Sequence, residues 1–250
     1  MKNIKMVLEY EGTNYCGWQK QKNTSLTIQQ ILEQVLYKIL RERVRVIGSA
    51  RTDKGVHAKY QVANFKTNTN IPLKNLKKAL NSNLPPDIRI KSLVKAPLEF
   101  NARFWAKSKT YKYFIYNSET HSVFYRRFSW HIREKLDLER MKKEIKALLG
   151  KKDFKCFLSS GANIKNTVRE IYKAEINKKG KFIIIEIKAN SFFYKMVRNI
   201  VGTLVDFGRG KNKLNSLKEI INCGLRKFAG VCAPPQGLFL WKIEFLNLQK

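Results

Sequence analysis

The sequence is poor in acidic residues. Asp and Glu together number 19, against 50 Lys and Arg among 250 residues, which leaves a formal net charge of +31 at pH 7. A surface this positive repels itself unless a polyanion is near, so the charge favours nucleic acid as the partner. The alternative is a compositional bias toward lysine that has no function. Because the basic residues run along the whole chain rather than in a tail, a binding surface would be part of the fold.

Long apolar runs and paired cysteines are also missing. No stretch approaches the roughly 18 apolar residues that a membrane helix needs. The chain opens with Lys2, Lys5 and Glu9 among its apolar residues, unlike a secretory signal. We therefore expect a cytoplasmic protein without a membrane partner. The cysteines form no CxxC or CxxH pattern, so neither a zinc site nor a disulfide is expected. They are Cys16, Cys156, Cys223 and Cys232.

The sequence does contain an ordinary globular share of hydrophobic residues, 44%, arranged in a clear order of elements. In the first half, apolar spacing predicts strands over 4–10, 44–47, 61–67 and 88–94, and helices over 28–40 and 73–80. Thr27 is the expected N-cap of the first helix. This β-α-β-β-α-β order is typical of a ferredoxin-like arrangement, in which two helices cover one face of an antiparallel sheet.

The second half alternates in a similar way. Its patterns predict strands over 104–117, 168–176, 182–189 and 237–245, a turn at 177–180, and helices over 138–149, 192–207 and 214–221. Asp137 and Gly150 are the expected limits of the first of these helices. The predicted fold class is α+β, with two similar ferredoxin-like or RRM-like halves at 1–103 and 104–250. No low-complexity linker separates the halves, so we expect antiparallel sheets that share a cleft.

A loop between two predicted strands carries the candidate chemistry. It places Arg51, Thr52, Asp53 and His57 around two glycines, Gly48 and Gly55. Such loops hold reactive side chains on a rigid scaffold, but Asp and Gly are also the usual residues of an ordinary turn. No second carboxylate lies near Asp53 in sequence, and one carboxylate does not hold Mg²⁺ or Ca²⁺. As a nucleophile or general base, Asp53 would need a cationic partner and apolar surroundings.

Arg198 is the candidate for that cationic partner. It lies in a predicted helix whose residues at 192–197 are largely apolar, and an arginine in such surroundings is uncommon unless it is paired. Arg51 is too near Asp53 in sequence for spacing to decide whether those two side chains pair.

Basic and aromatic residues alternate over 100–113. Proteins that bind RNA use cations for phosphates and rings for stacking on unpaired bases. The same pattern fits a strand with core aromatics on one face and lysines on the other. A Walker loop, the GxSxG and HExxH motifs and a dinucleotide fingerprint are all absent from the sequence.

The segment Ala50-Arg51-Thr52-Asp53-Lys54-Gly55-Val56-His57-Ala58 resembles the catalytic loop of the tRNA pseudouridine synthase A family. Further matches follow in the family's order and cover nearly the whole chain: Glu9-Tyr10-Glu11-Gly12-Thr13, Asn83-Leu84-Pro85, Ala102-Arg103-Phe104, Tyr111-Lys112-Tyr113, Asp153-Phe154, Met196-Val197-Arg198-Asn199-Ile200-Val201-Gly202 and Gly237-Leu238-Phe239-Leu240. Together they favour a catalytic role for Asp53 over an ordinary turn. Ala50 and Asn101 depart from the family pattern, which often has glycine and histidine there.

The resemblance implies a homodimeric isomerase with the pseudouridine synthase fold that converts uridine to pseudouridine at positions 38 to 40 of the tRNA anticodon stem-loop. It implies no cofactor and no metal ion. Asp53 would be the essential carboxylate, which attacks the sugar, attacks the base or removes a sugar proton. Arg198 would pair with Asp53, Tyr111 would stack on the target base, and Arg51 would help to displace that base. The alternative is a non-catalytic RNA-binding protein of paired RRM-like domains, which gives the Arg-Thr-Asp loop no role.

Overall fold

The computed structural model describes residues 1–159, 164 and 166–245. The chain forms two compact units. The first contains Met1–Lys107 and the part of the last strand from Leu240 onward, and the second is Ser108–Phe239. Among the described residues, no helix is both long and apolar enough to cross a membrane.

The first unit has the predicted ferredoxin-like order. Its elements are β1 (Lys2–Tyr10), α1 (Ile28–Leu40), β2 (Ile47–Gly48), β3 (His57–Thr67), α2 (Leu73–Asn83) and β4 (Ile88–Ala96). Strand β1 pairs antiparallel with both β3 and β4, and β2 pairs antiparallel with β3. The resulting order, β4-β1-β3 with the short β2 also paired to β3, confirms the antiparallel plan that the sequence predicts.

The helix α1 illustrates why the sequence pattern was informative. Its buried residues Ile28, Leu32 and Leu36 recur at four-residue steps and form one apolar face. The predicted N-cap is confirmed, because the Thr27 hydroxyl accepts a hydrogen bond from the Gln30 amide at 3.3 Å. The helix therefore begins at Ile28, directly after its N-cap.

The second unit contains a four-stranded antiparallel sheet in the order β5-β9-β8-β7. Its strands are β5 (Ala106–Asn117), β6 (Trp130–Ile132), β7 (Gly150–Asp153), β8 (Val168–Lys179) and β9 (Phe182–Ala189). Its helices are α3 (Leu138–Ile145), α4 (Met196–Arg209) and α5 (Leu217–Cys223). The last strand of the chain is β10 (Leu238–Phe245), of which only Leu238 and Phe239 belong to this unit. The short strand β6 runs parallel to the end of β5.

Several predicted boundaries were wrong, and each has a local cause. Helix α4 begins at Met196 rather than at 192, because Lys195 takes a left-handed conformation with φ of 61°. Helix α5 begins at Leu217 rather than at 214, because Ser216 caps it. The hairpin turn comes after Lys179 rather than at 177–180, and Gly180 has φ of 58° there. Gly150, the expected limit of the helix predicted over 138–149, is also the first residue of strand β7, which the sequence does not predict.

Candidate active site

The loop between β2 and β3 carries Arg51, Thr52 and Asp53. Arg51 is exposed, Thr52 is buried and Asp53 is half-buried. The turn is closed by the Val56 amide, which donates to the backbone carbonyl of Asp53 at 3.1 Å. The backbone of Asp53 therefore takes part in closing the turn.

A buried polar network lies beneath this loop and fixes both residues that flank Arg51. The hydroxyl groups of Tyr10 and Thr52 are 2.8 Å apart. The Gln61 amide donates to the Ala50 carbonyl at 2.8 Å and accepts from the Ala50 amide at 3.3 Å. Burial raises the pKa of Tyr10, so its phenol stays protonated at neutral pH. The network therefore ties the loop to β1 and β3 through neutral groups.

The segment between β1 and α1 holds the loop from another side. The Trp18 amide donates to the Thr52 carbonyl at 3.0 Å, and the Gly55 amide donates to the Tyr15 carbonyl at 3.3 Å. Close approach requires glycine here: Gly17 has φ of +92°, and a Cβ atom on it would lie 2.6 Å from the Thr52 carbonyl oxygen. The Tyr15 hydroxyl in turn donates to Asp87.

His57 links the same two segments. It is 1% exposed, and its Nδ1 accepts a hydrogen bond from the Gly12 amide at 3.0 Å. Because Nδ1 is the acceptor, the neutral ring carries its proton on Nε2. A Cβ atom on Gly12 would lie 2.0 Å from the Val56 carbonyl oxygen, so the segments meet too closely for any larger residue. His57 is thus a positioning group for the Asp53 loop.

Tyr111 and Arg198 belong to the second unit. Tyr111 lies on β5 opposite Ile187 and is 7% exposed, with its ring edge-on to Phe192 at 5.2 Å between centroids. Arg198 lies in the first turn of α4, half-buried, and its Nε donates to the Ala233 carbonyl at 2.7 Å. One of its charged nitrogens is therefore held by backbone.

The surroundings of Arg198 are closely packed. Tyr113 donates its hydroxyl to the Pro234 carbonyl at 2.7 Å, next to the residue that binds Arg198. Burial raises the pKa of Tyr113 well above its usual range, although the Arg198 guanidinium acts in the opposite direction. Asp53 belongs to the first unit and Arg198 to the second, so their pairing stays a prediction.

Strand β5 follows the pattern of a core strand. Tyr111, Tyr113 and Ile115 are buried, while Lys112 extends its Nζ to within 3.1 Å of the Glu186 carboxylate. The exposed part of the basic and aromatic stretch comes before the strand, where Phe104 is 75% exposed. The core-strand interpretation is confirmed for Tyr113 and Ile115, while stacking of Tyr111 on a base stays a prediction.

The two departures from the resembled pattern have local effects. Ala50 is buried and bonded to Gln61 through its backbone. Asn101 accepts from the amides of Arg103 and Phe104, at 3.0 and 3.3 Å, and so caps the turn before β5. Within the described part of the chain, no group of three His, Cys, Asp or Glu residues could hold a metal ion.

Two residues that support the site are not predicted from the sequence. Gln61 is fully buried beneath the loop, and Ala233 binds Arg198 through a backbone carbonyl. No sequence signal singles out Gln61, because the predicted strand 61–67 also contains Asn64, Lys66 and Thr67. No sequence signal identifies Ala233, because its carbonyl, not its side chain, makes the contact.

The chain is similar to known proteins over nearly its whole length. Residues 6–105 and 145–246 match the family model described as tRNA pseudouridine synthase. The protein named tRNA pseudouridine synthase A 2 from Clostridium perfringens is 49% identical over 98% of this chain and 100% of its own length. The protein named tRNA pseudouridine synthase A from Thermoanaerobacter sp. is 48% identical with the same coverage. A solved archaeal box H/ACA sRNP Nop10-Cbf5 complex is a distant structural likeness, with a TM-score of 0.39 and 10% identity over 81% of this chain and 43% of that one.

Proposed function

The chain belongs to the tRNA pseudouridine synthase family, and from that premise we propose that it isomerises uridine to pseudouridine in tRNA with Asp53 as the essential carboxylate. We place the target at positions 38 to 40 of the anticodon stem-loop, as the motif resemblance implies. The enzyme would act as a homodimer in the cytoplasm. Substrate and product contain the same atoms, so the reaction consumes no reductant, oxidant or group donor.

The observation that carries this proposal is the way in which the Asp53 loop is held. Thr52, the residue before Asp53, is fixed through both its hydroxyl and its carbonyl, and Gly55 is fixed through its amide. Asp53 itself remains half-buried. A reacting group that is positioned before the substrate arrives avoids the entropy cost of ordering it during the reaction.

The reaction makes two demands on the protein. The target uridine must leave its stack, which costs a few kcal/mol. The N-glycosidic bond then breaks and the base rejoins the sugar through carbon, so the freed uracil must turn without escaping into water. Asp53 attacks the sugar, attacks the base or removes a sugar proton, and each route requires the ionised carboxylate.

We assign supporting roles to the other three residues. Tyr111 stacks on the target uracil, in keeping with its ring at the edge of Phe192. Arg198 pairs with the Asp53 carboxylate, and because its Nε is used on Ala233, the pair would form through its terminal nitrogens. Arg51 is exposed and suited to displace the target base.

The test is Asp53→Asn, which keeps the shape of the side chain but removes its charge. We expect pseudouridine formation to be abolished while tRNA binding survives, as measured by mapping pseudouridine in tRNA after incubation with the purified protein. The matched control is Asp137→Asn, at the exposed N-cap of α3, which should retain activity. Substantial turnover by a folded Asp53→Asn protein would contradict the assignment, and mapping also reveals which of the three positions are modified.

A further inference from the structure

An open groove of about 1150 Å³ lies in the first unit and is not used by the mechanism above. One wall is formed by residues 19–26, the floor by the first turns of α1, and the other wall by residues 43–45. Apart from Leu26 and Val44, every lining residue is polar or charged. Sites for small organic ligands are mostly apolar, so this lining favours a strongly hydrated partner.

The groove is preformed because its two walls are joined through one buried amide. Gln29 is 6% exposed, and its carbonyl accepts from the Gln19 side chain at 2.7 Å and from the Lys20 amide at 2.9 Å. Its nitrogen donates to Glu33 at 2.9 Å and to the Val46 carbonyl at 3.1 Å. A ligand would therefore find the walls already in place.

The rim of the groove is positively charged. Four exposed cations line it, Lys20, Lys22, Arg43 and Arg45, and the single carboxylate is Glu33. Glu33 lies 3.7 Å from the Lys20 ammonium, so it balances one of the four charges. Three cations remain, drawn from both walls, which is the arrangement that a chain of phosphates requires.

The groove is joined to the loop that carries Asp53 by backbone hydrogen bonds. Trp18 directly precedes the groove residue Gln19, and its amide donates to the Thr52 carbonyl at 3.0 Å. The Trp18 carbonyl accepts from the Gln29 amide, also at 3.0 Å. One residue thus joins the groove floor to the backbone next to Asp53, so the groove lies close to that loop.

We propose that this groove binds the sugar–phosphate backbone of the tRNA that flanks the target uridine. The proposal rests on the proposed function, since it takes tRNA as the substrate. The cations of the rim meet phosphates, and the amide side chains of the walls and floor meet ribose hydroxyls, which distinguish RNA from DNA. The groove would be a second contact surface, separate from the Asp53 loop.

The test compares two double variants that remove the same charge. Arg43→Gln with Arg45→Gln removes two cations from the groove, and Lys74→Gln with Lys78→Gln removes two exposed lysines from α2 in the same unit. Kd for unmodified tRNA is measured over a range of salt concentrations. We expect the groove variant to raise Kd about fivefold or more and to lower the log–log salt slope by about 1.5, while the α2 variant changes both much less.

Two further variants test whether the effect comes from the positive charge of the groove. Lys22→Gln, on the opposite wall, should weaken binding in the same direction, and Arg43→Lys with Arg45→Lys should recover most of the loss because phosphates respond to charge. Equal losses in the groove and α2 variants, or no loss in either, would overturn the proposal. Failure of the wild-type protein to form pseudouridine would contradict the proposed function instead, because tRNA binding is measured without turnover.

Discussion

At the scale of single residues, substitutions of Tyr111 distinguish a stacking role from a role in proton transfer. Tyr111→Phe keeps the ring and loses the hydroxyl, whereas Tyr111→Ala loses both. If the ring only stacks on uracil, the Phe variant should form pseudouridine and the Ala variant should lose about 1–3 kcal/mol of transition-state stabilisation. Single-turnover rates on tRNA measure the difference. Equal inactivity of both variants would assign a proton transfer to the hydroxyl, and wild-type rates from the Ala variant would remove Tyr111 from the site.

His57 permits a second test at the same scale, because the side-chain amides of Asn and Gln can each replace one of its two ring nitrogens. Asn places an acceptor near the position of Nδ1, whereas Gln places it near Nε2. Since Nδ1 accepts from the buried Gly12 amide, we expect His57→Asn to retain more stability and activity than His57→Gln. Leaving that amide unsatisfied costs about 1–3 kcal/mol. Urea unfolding and pseudouridine rates give the order of the variants. A Gln variant equal to or better than Asn would show that the contacts of Nε2 dominate.

The sequence identified the candidate loop but not the hydrogen bonds that hold it. The Arg-Thr-Asp loop was recognisable because its residue types and their order are specific. The bonds that fix it were not, because they join residues far apart in sequence, such as Thr52 to Tyr10 and Ala50 to Gln61. Backbone groups supply others, as at Ala233, and these depend on the fold rather than on the side chain.

At the scale of elements, predictions succeeded where periodicity was long. The helix α1 has 13 residues and its start was predicted, whereas the unpredicted strands β6 and β7 have three and four residues, too few to show an alternation. The strand predicted over 44–47 is confined to Ile47–Gly48. At α4 the backbone conformation of Lys195 sets the first residue of the helix, but the apolar spacing continues on the N-terminal side of it, so the predicted helix is too long. Phe192 and Phe193 therefore lie before α4, although their pattern is compatible with a helix.

The packing of α4 can be tested with two glycines of the same helix. A Cβ atom on Gly202 would lie 1.7 Å from the Val231 carbonyl oxygen, whereas on Gly208 it would meet the flexible Met141 side chain at 2.7 Å. Alanine at either position improves helix propensity by about 1 kcal/mol. We expect Gly202→Ala to lower the free energy of unfolding by roughly 1–3 kcal/mol or more, because a backbone segment must move. Gly208→Ala should cost less, and urea unfolding compares the two. Similar stability in both variants would show that the segment at 231 yields easily.

Gly202→Ala should also reduce activity, since the segment that it displaces holds Arg198. The Ala233 amide donates to the Arg198 carbonyl at 3.1 Å, and the Ala233 carbonyl accepts from the Arg198 side chain. Activity is compared at a temperature where both variants are folded. A Gly202→Ala protein that is destabilised yet fully active would indicate that the contact at Ala233 does not position Arg198 for the reaction.

At the scale of the whole molecule, the acidic residues are too few to balance the bases. Glu9 lies within 3.3 Å of Lys59 and 3.0 Å of Lys91, and Glu186 is likewise shared between two lysines. Burial raises the pKa of the Glu9 carboxyl, but its two lysines outweigh that effect and hold the pKa below its ordinary value. Although some carboxylates each pair with two lysines, the net charge is still +31. Repulsion among the lysines and arginines therefore opposes the folded state.

That repulsion predicts how the stability of the whole protein responds to salt and to tRNA. Raising the concentration of sodium chloride shortens the range of charge interactions, to about 8 Å at physiological ionic strength, so Tm of the free protein should rise with salt. A polyanion that binds only the folded state should raise Tm at low salt, by about 5–10 °C when its concentration is a hundred times Kd. The two effects oppose each other, because salt weakens the binding of tRNA. We therefore expect the Tm curves with and without tRNA to converge as salt increases. A neutral polymer of similar size is the control. Curves that run parallel would mean that tRNA binding does not depend on the basic surface, and the excess of lysine would then reflect composition rather than a ligand.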